Sequence, residues 1–220
     1  MKIITFALWG NDARYISGAL ENVRLAKTHY PGWELRFYCS ENVSSVCLGH
    51  LKDGGQVIMK PACDNYLGLY WRLEPGYEEG IERFIVRDCD SRLNKREAAA
   101  VKDWESTQFP FHIMRDHFKY HGATVMGGMF GMIPGSVPDY QKNLLEWVGN
   151  IKPNNAPLGQ YWGLDQEFLR KKVWPHVIDN HLAHDDSRRK TRREKRFRVK
   201  LPKGQFVGQR FDHNNQPEYV

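Results

Sequence analysis

Cysteine is scarce in this 220-residue sequence: four residues, Cys39, Cys47, Cys63 and Cys89, none in Cys-x-x-Cys spacing. That excludes a disulfide scaffold and reads as reduced thiols in a cytoplasmic protein. No apolar run approaches the roughly 20 residues of a membrane-spanning helix. Residues 1–10 lack the long apolar core and small-residue cleavage site of a secretory signal and read as a buried strand. No glycine cluster leads into Gly-Lys-Ser/Thr, so a phosphate-binding loop of the P-loop type is excluded. There is no internal repeat and no Pro/Ser-rich linker. With 41% hydrophobic and 26% charged residues, the chain is neither disordered nor collagen-like and is long enough to bury one full core.

Excess charge is also missing from most of the chain. The formal net charge is +6, but residues 188–200 hold nine Lys/Arg and one acid, contributing +8 and leaving −2 over the other 207 residues. A local basic run implies a solvated loop, a lid over a pyrophosphate, or a nucleic-acid contact. Its single aromatic, Phe197, gives little for base stacking, and no helix-turn-helix, zinc-finger or RNA-recognition signature accompanies it. Nucleic acid is the least favoured partner. The run marks the one composition shift, dividing a main domain over 1–187 from a basic loop and tail over 188–220 that pack on the same domain.

What is present is an alternation of short apolar runs and helical patterns. Strands are expected over 3–8, 34–38, 56–59, 83–87, 111–114 and 125–132. Helices are expected over 12–29, 43–51, 65–73, 95–105, 137–148 and 166–172. Asn94 followed by Glu97 has the form of a capping box. The alternation predicts an α/β fold with a mixed sheet flanked by helices.

The most informative stretch is Arg83-Phe84-Ile85-Val86-Arg87-Asp88-Cys89-Asp90-Ser91-Arg92. A strand running into Asp-x-Asp places two carboxylates at the sheet edge where ligands of open α/β sheets bind. Carboxylates converging in a turn suit a hard divalent cation, with positions left for a diphosphate. Phosphatases of the haloacid-dehalogenase type also carry Asp-x-Asp after a strand. Their pattern wants an apolar residue where Arg87 stands, Thr or Val where Arg92 stands, and the first strand rather than the fourth.

The sequence resembles small GT-A-type nucleotide-sugar glycosyltransferases, the compact transferase domains of large algal viruses, phages and bacteria. The resembling pieces follow one another along nearly the whole chain: Leu8-Trp9-Gly10, Tyr15 to Asn22, Tyr30-Pro31-Gly32-Trp33, Tyr70-Trp71-Arg72-Leu73, Arg87 to Leu93, Val101-Lys102-Asp103-Trp104, His112 to His117, Gly127 to Gly131, Gly163-Leu164-Asp165-Gln166, His184-Asp185-Asp186-Ser187 and Phe206-Val207-Gly208-Gln209. Cys89 departs from the Thr or Ser expected there, and the basic run replaces a shorter, more aromatic loop. The resemblance implies a GT-A (Rossmann-like) fold. It also implies that Asp88, Asp90 and a late ligand, His184 (or His181), hold Mn²⁺ or Mg²⁺ against the donor diphosphate. Imidazole favours manganese. Phe6, Leu8, Trp9 and Tyr15 would line the nucleotide pocket, with Phe6 and Leu8 contacting through backbone. Arg72, Arg87, Cys89, Gly127 and Gly128 would complete the donor site. Asp165, Gln166 and Asp116 are the candidate catalytic residues.

The resulting expectation is a metal-dependent glycosyltransferase moving a sugar from a nucleotide-diphosphate donor, a UDP-sugar, to a hydroxyl of a glycan or other acceptor. A metal-dependent phosphohydrolase using Asp88 and Asp90, and a nucleic-acid-binding protein led by 188–200, are the alternatives.

Overall fold

A computed structural model describes residues 1–151, 163–187 and 194–218. Its centre is a mixed sheet. The strands are β1 (Lys2–Leu8), β2 (Glu34–Ser40), β3 (Gln56–Lys60), β4 (Arg83–Val86), β5 (Phe111–Arg115), β6 (Phe130–Met132), β7 (His181–Asp185) and β8 (Glu194–Lys195). They are ordered β3-β2-β1-β4-β6-β5-β7-β8. Only β6 runs against its neighbours, pairing antiparallel with β4 and β5. The C-terminal ends of β1, β4, β5 and β7 therefore share one edge.

β1, β2 and β5 are buried along nearly their whole length because both sheet faces are covered. One face packs Ile4, Phe6, Phe37 and Ile85 against α1 (Ala13–His29), α2 (Ser45–Lys52) and α3 (Lys95–Glu105). The other packs Phe84, Phe111 and Phe130 against Tyr70, Tyr140 of α4 (Tyr140–Asn150), Phe168 of α5 (Leu164–Phe168) and Val177 of α6 (Trp174–Val177). The architecture is a single-domain α/β sheet flanked by helices, as the alternation predicts.

Several elements differ from expectation. The helix expected over 65–73 is a 3₁₀ stretch, Tyr66–Tyr77, started by Asn65 and running through Pro75. Gly68, Pro75 and Gly76 are poor α-formers. A side chain at Gly68 would press on the Trp9 ring, and one at Gly76 would strike Tyr140. Of the strand expected over 125–132, only Phe130–Met132 is extended; the glycines before it lie in a turn. The helix expected over 166–172 begins at Leu164 and continues to Val177 through a π-helical stretch, Leu169–Val173. Asn94 does cap α3, accepting from the backbone of Arg96 and Glu97. Glu97 does not complete the box; it turns inward to Arg87 and Tyr30.

Candidate active site

β4 ends at Val86, and the chain then turns through Asp88, Cys89 and Asp90. The turn is fastened from behind. The Ser91 hydroxyl and amide both donate to the Asp88 carbonyl, at 2.9 and 3.2 Å. Asn22 of α1 donates to the Ser91 carbonyl and accepts from the Leu93 amide, each at 2.9 Å. A side chain at Gly18 would collide with the Cys89 carbonyl, so the glycine lets α1 approach the turn directly. The buried Cys89 thiol donates to the Ala7 carbonyl of β1 at 3.3 Å.

The two carboxylates differ in setting. The Asp88 side chain is 42% exposed and paired with Arg72. Asp90 is buried, and burial, then the charge of Asp88, lifts its pKa to about 7. Tyr15 lies alongside; burial, then Asp90, pushes its hydroxyl up to about 12.

Arg72, buried in the 3₁₀ stretch, joins this turn to α5. Its guanidinium holds Asp88 and the Arg87 carbonyl through Nη1, and Asp165 through Nη2 at 3.1 Å. Burial opposes the Arg72 charge, but Asp88 and Asp165 outweigh it and raise its pKa. Burial also raises the pKa of Asp165, with Arg72 acting the other way. The glycine turn closes over this arrangement: a side chain at Gly127 would strike the Asp165 carboxylate, and one at Gly128 the Asp88 carboxylate. Gly128→Ala should therefore displace Asp88 at an overpacking cost of about 1–3 kcal/mol. We expect ligand binding at the Asp pair to fall about tenfold or more with an unchanged circular dichroism spectrum.

No family model and no curated protein matches the chain. Solved structures do resemble it. The galactosyltransferase LgtC in complex with donor and acceptor sugar analogs has a TM-score of 0.47 and 13% identity over 84% of this chain and 73% of that one. The glucosyl-3-phosphoglycerate synthase of Mycobacterium tuberculosis has a TM-score of 0.46 and 11% identity over 80% of each chain. Rv0371C of Mycobacterium tuberculosis H37Rv, in complex with manganese, has a TM-score of 0.43 and 12% identity over 84% and 87%. At these identities the likeness is one of fold.

The structure gathers Tyr15, Arg72, Asp88, Asp90, Gly127, Gly128 and Asp165. Gln166 follows at the start of α5, its amide bound to Asp165 Oδ1 at 2.9 Å. Trp9 sits half-buried at the end of β1, edge-on to Tyr66 at 6.5 Å. Phe6 and Leu8 are core side chains, leaving only their backbone to a ligand.

Three expected residues lie elsewhere. His184 is on β7, three strands from β4. Its Nδ1 meets His112 Nε2 at 2.9 Å and its Nε2 meets Asp103 at 3.2 Å, so the fold uses both ring nitrogens. His181, the other candidate, is buried against Trp174. Among the described residues no group of three His, Cys, Asp or Glu side chains is arranged to hold a metal. Asp116 is no free base: it is paired with Arg96 at 2.6 Å and accepts from the Val207 amide at 2.8 Å. Arg87 points away from the Asp pair into the α3 face, meeting Glu97 at 3.3 Å. In each case a buried polar side chain near the motif has been recruited to join elements.

The sequence reading expected the C-terminal tail to pack on the domain but not that it would strap the Asp turn. Ser91 bridges to Arg210, and the Phe211 amide donates to the Asp90 carbonyl at 2.9 Å. Arg92 stacks on Phe211, 5.1 Å away, and donates to Asn215 at 2.9 Å. Arg14 and Arg210 both lower the pKa of Asp90 and both approach Glu218. No motif joins Arg14 to Arg210; only the return of the chain does. Of the basic run, residues 188–193 lie outside the described residues. Beyond them, Lys195 pairs with Asp103 and Arg196 with Asp186, each at 3.0 Å.

The buried histidines give the fold a pH signature. Burial lowers His184 to about 4 although the Asp103 charge opposes it, and burial together with His117 lowers His121 to about 3. His121 Nδ1 accepts from the Asp116 and His117 amides at 2.7 and 3.0 Å, contacts that need a neutral ring. The folded chain thus binds fewer protons than the unfolded one below the ordinary value of 6.5. This contribution to stability is complete above pH 6.5 and is lost as pH falls toward 4 and 3. Melting temperature should drop over that window, and His121→Asn should flatten the drop.

Proposed function

We propose that this chain is a GT-A-type glycosyltransferase that moves a sugar from a nucleotide-diphosphate donor, a UDP-sugar, to an acceptor hydroxyl with a divalent cation bound. The observation that carries the proposal is the pair Asp88 and Asp90 at the C-terminal end of β4, backed by Arg72 and Asp165 and closed by two glycines without room for a side chain. Asp88 and Asp90 suit a cation: each carboxylate disfavours the charge of the other, a repulsion that a divalent ion relieves. Bound there, Mn²⁺ or Mg²⁺ supplies positive charge for the departing diphosphate.

The chain's own groups do the rest. Arg72 orients Asp88 and presents fixed positive charge beside it. Arg14 and Arg210, each shared with Glu218, are placed to meet phosphate oxygens. Trp9 and Tyr66, at the β1 side of the turn, offer faces for a nucleotide base. Asp165 and Gln166, beyond Gly127, face the sugar end, where a carboxylate can orient hydroxyls or stabilise positive charge at the anomeric carbon. Glycines rather than side chains at 127 and 128 let the sugar approach the backbone closely.

Calorimetric titration of UDP into the protein, with and without Mn²⁺, tests this reading. Binding that requires the cation, followed by slow hydrolysis of one UDP-sugar, is the expected result. Failure of UDP, GDP and dTDP alike to bind would overturn it. A phospho-enzyme trapped on Asp88 would instead establish the phosphohydrolase.

A further inference from the structure

Gln209 is 1% exposed, yet neither Oε1 nor Nε2 of its amide has a hydrogen-bond partner among the described residues. An amide buried in this way costs free energy that a glutamine on the surface does not. Its place in the chain is specific. Two residues earlier, the Val207 amide is anchored on Asp116. Gly208, at φ 77°, packs so closely on Met129 of the glycine turn that a side chain there would meet the thioether. One residue later, Arg210 bridges to Ser91, and Phe211 binds the Asp90 carbonyl. Gln209 is therefore held between the glycine turn and the Asp turn.

We propose that Gln209 is a substrate-reading residue whose amide binds two neighbouring hydroxyls of the transferred sugar. This rests on the transferase reading and deepens it. A diphosphate oxygen only accepts hydrogen bonds and would satisfy Nε2 alone; a pair of hydroxyls both donates and accepts and satisfies both amide atoms. Met129, unbranched and adaptable, is the side chain that gives way to the sugar. Gln209 belongs to the Phe206-Val207-Gly208-Gln209 piece, to which the sequence assigns no role.

The test titrates UDP, UDP-glucose, UDP-galactose and UDP-N-acetylglucosamine, each with Mn²⁺, into wild type, Gln209→Met and Gln209→Glu. Wild type should bind at least one UDP-sugar more tightly than UDP. Gln209→Met, similar in shape but apolar, should keep UDP affinity within about twofold while losing about tenfold or more for that sugar. Gln209→Glu, which keeps the acceptor, should lose less. Without ligand, Gln209→Met should melt at or above the wild-type temperature, because it removes an unpaired buried group.

Unchanged UDP-sugar affinity in Gln209→Met would overturn the proposal. So would an equal loss for UDP, which would assign the amide to the nucleotide. A melting temperature lowered by more than about 4 °C would show that the amide has a partner inside the fold. Wild type that binds UDP but gains nothing from any of the sugars would also overturn it. Wild type that fails to bind UDP would remove the transferase reading itself.

Discussion

Asp90→Asn is expected to abolish cation-dependent nucleotide binding while leaving the protein as stable as wild type or more so. Asp90 is 6% exposed, and its pKa stands at about 7 because burial and the neighbouring Asp88 charge both disfavour ionisation. An aspartate whose folded pKa lies above its unfolded value binds more protons in the folded state between the two values. Its contribution to stability is thus greatest below the ordinary aspartate value of 3.8 and lost as pH rises through about 7. At pH 8 the folded protein carries the full cost of this buried charge. Asparagine has the same shape and no charge, so it removes that cost, on the order of 4 kcal/mol. On the proposed function, the same change removes one of two anionic ligands from the cation. The affinity for UDP with Mn²⁺ should fall about 100-fold or more, since cation stabilisation of a diphosphate is worth several kcal/mol. Calorimetry and thermal melts at pH 8 read both effects. A variant that melts far below wild type would show that Asp90 is structural; one that binds UDP and Mn²⁺ normally would remove it from the site.

Arg72→Leu should have the opposite signature, a large loss of stability. The guanidinium is 3% exposed and faces two carboxylates, one of them the 6% exposed Asp165. Removing one partner of a buried pair strands the other charge, at a cost of about 3–5 kcal/mol. For a chain of this size that corresponds to a fall in melting temperature of roughly 10 °C. The loss should shrink at low pH, where Asp165 accepts a proton. It should also be largely recovered in Arg72→Leu/Asp165→Leu, which leaves no buried charge and makes the coupling measurable as a double-mutant cycle. Exposed Asp88 contributes little to this balance, because water screens it. An additive double variant would show that the Arg72–Asp165 contact carries no coupling energy.

The sequence alone determined the α/β class, because apolar runs of strand length alternating with amphipathic segments fit no other layer arrangement. It also determined that Asp88 and Asp90 stand at the C-terminal edge of the sheet, since a strand running directly into a polar turn ends there. Local chemistry settled the Asn94 cap, decided within three residues. Tertiary structure decided which polar residues are free to act. Arg72 and Asp165 stand 93 residues apart and meet only because the 3₁₀ stretch and α5 flank the same end of β4. His184, Asp116 and Arg87 look like site residues in sequence, but β5, the strap and α3 each supply a partner that occupies them. The strap itself, with Arg210 and Gln209, has no local signature, because its pairing with Ser91 and Asp90 crosses more than 100 residues. Periodicity and motifs report what a residue's neighbours in sequence require. Which buried polar group keeps an unmatched hydrogen bond depends on every element packed around it, and that is fixed only when the chain has folded.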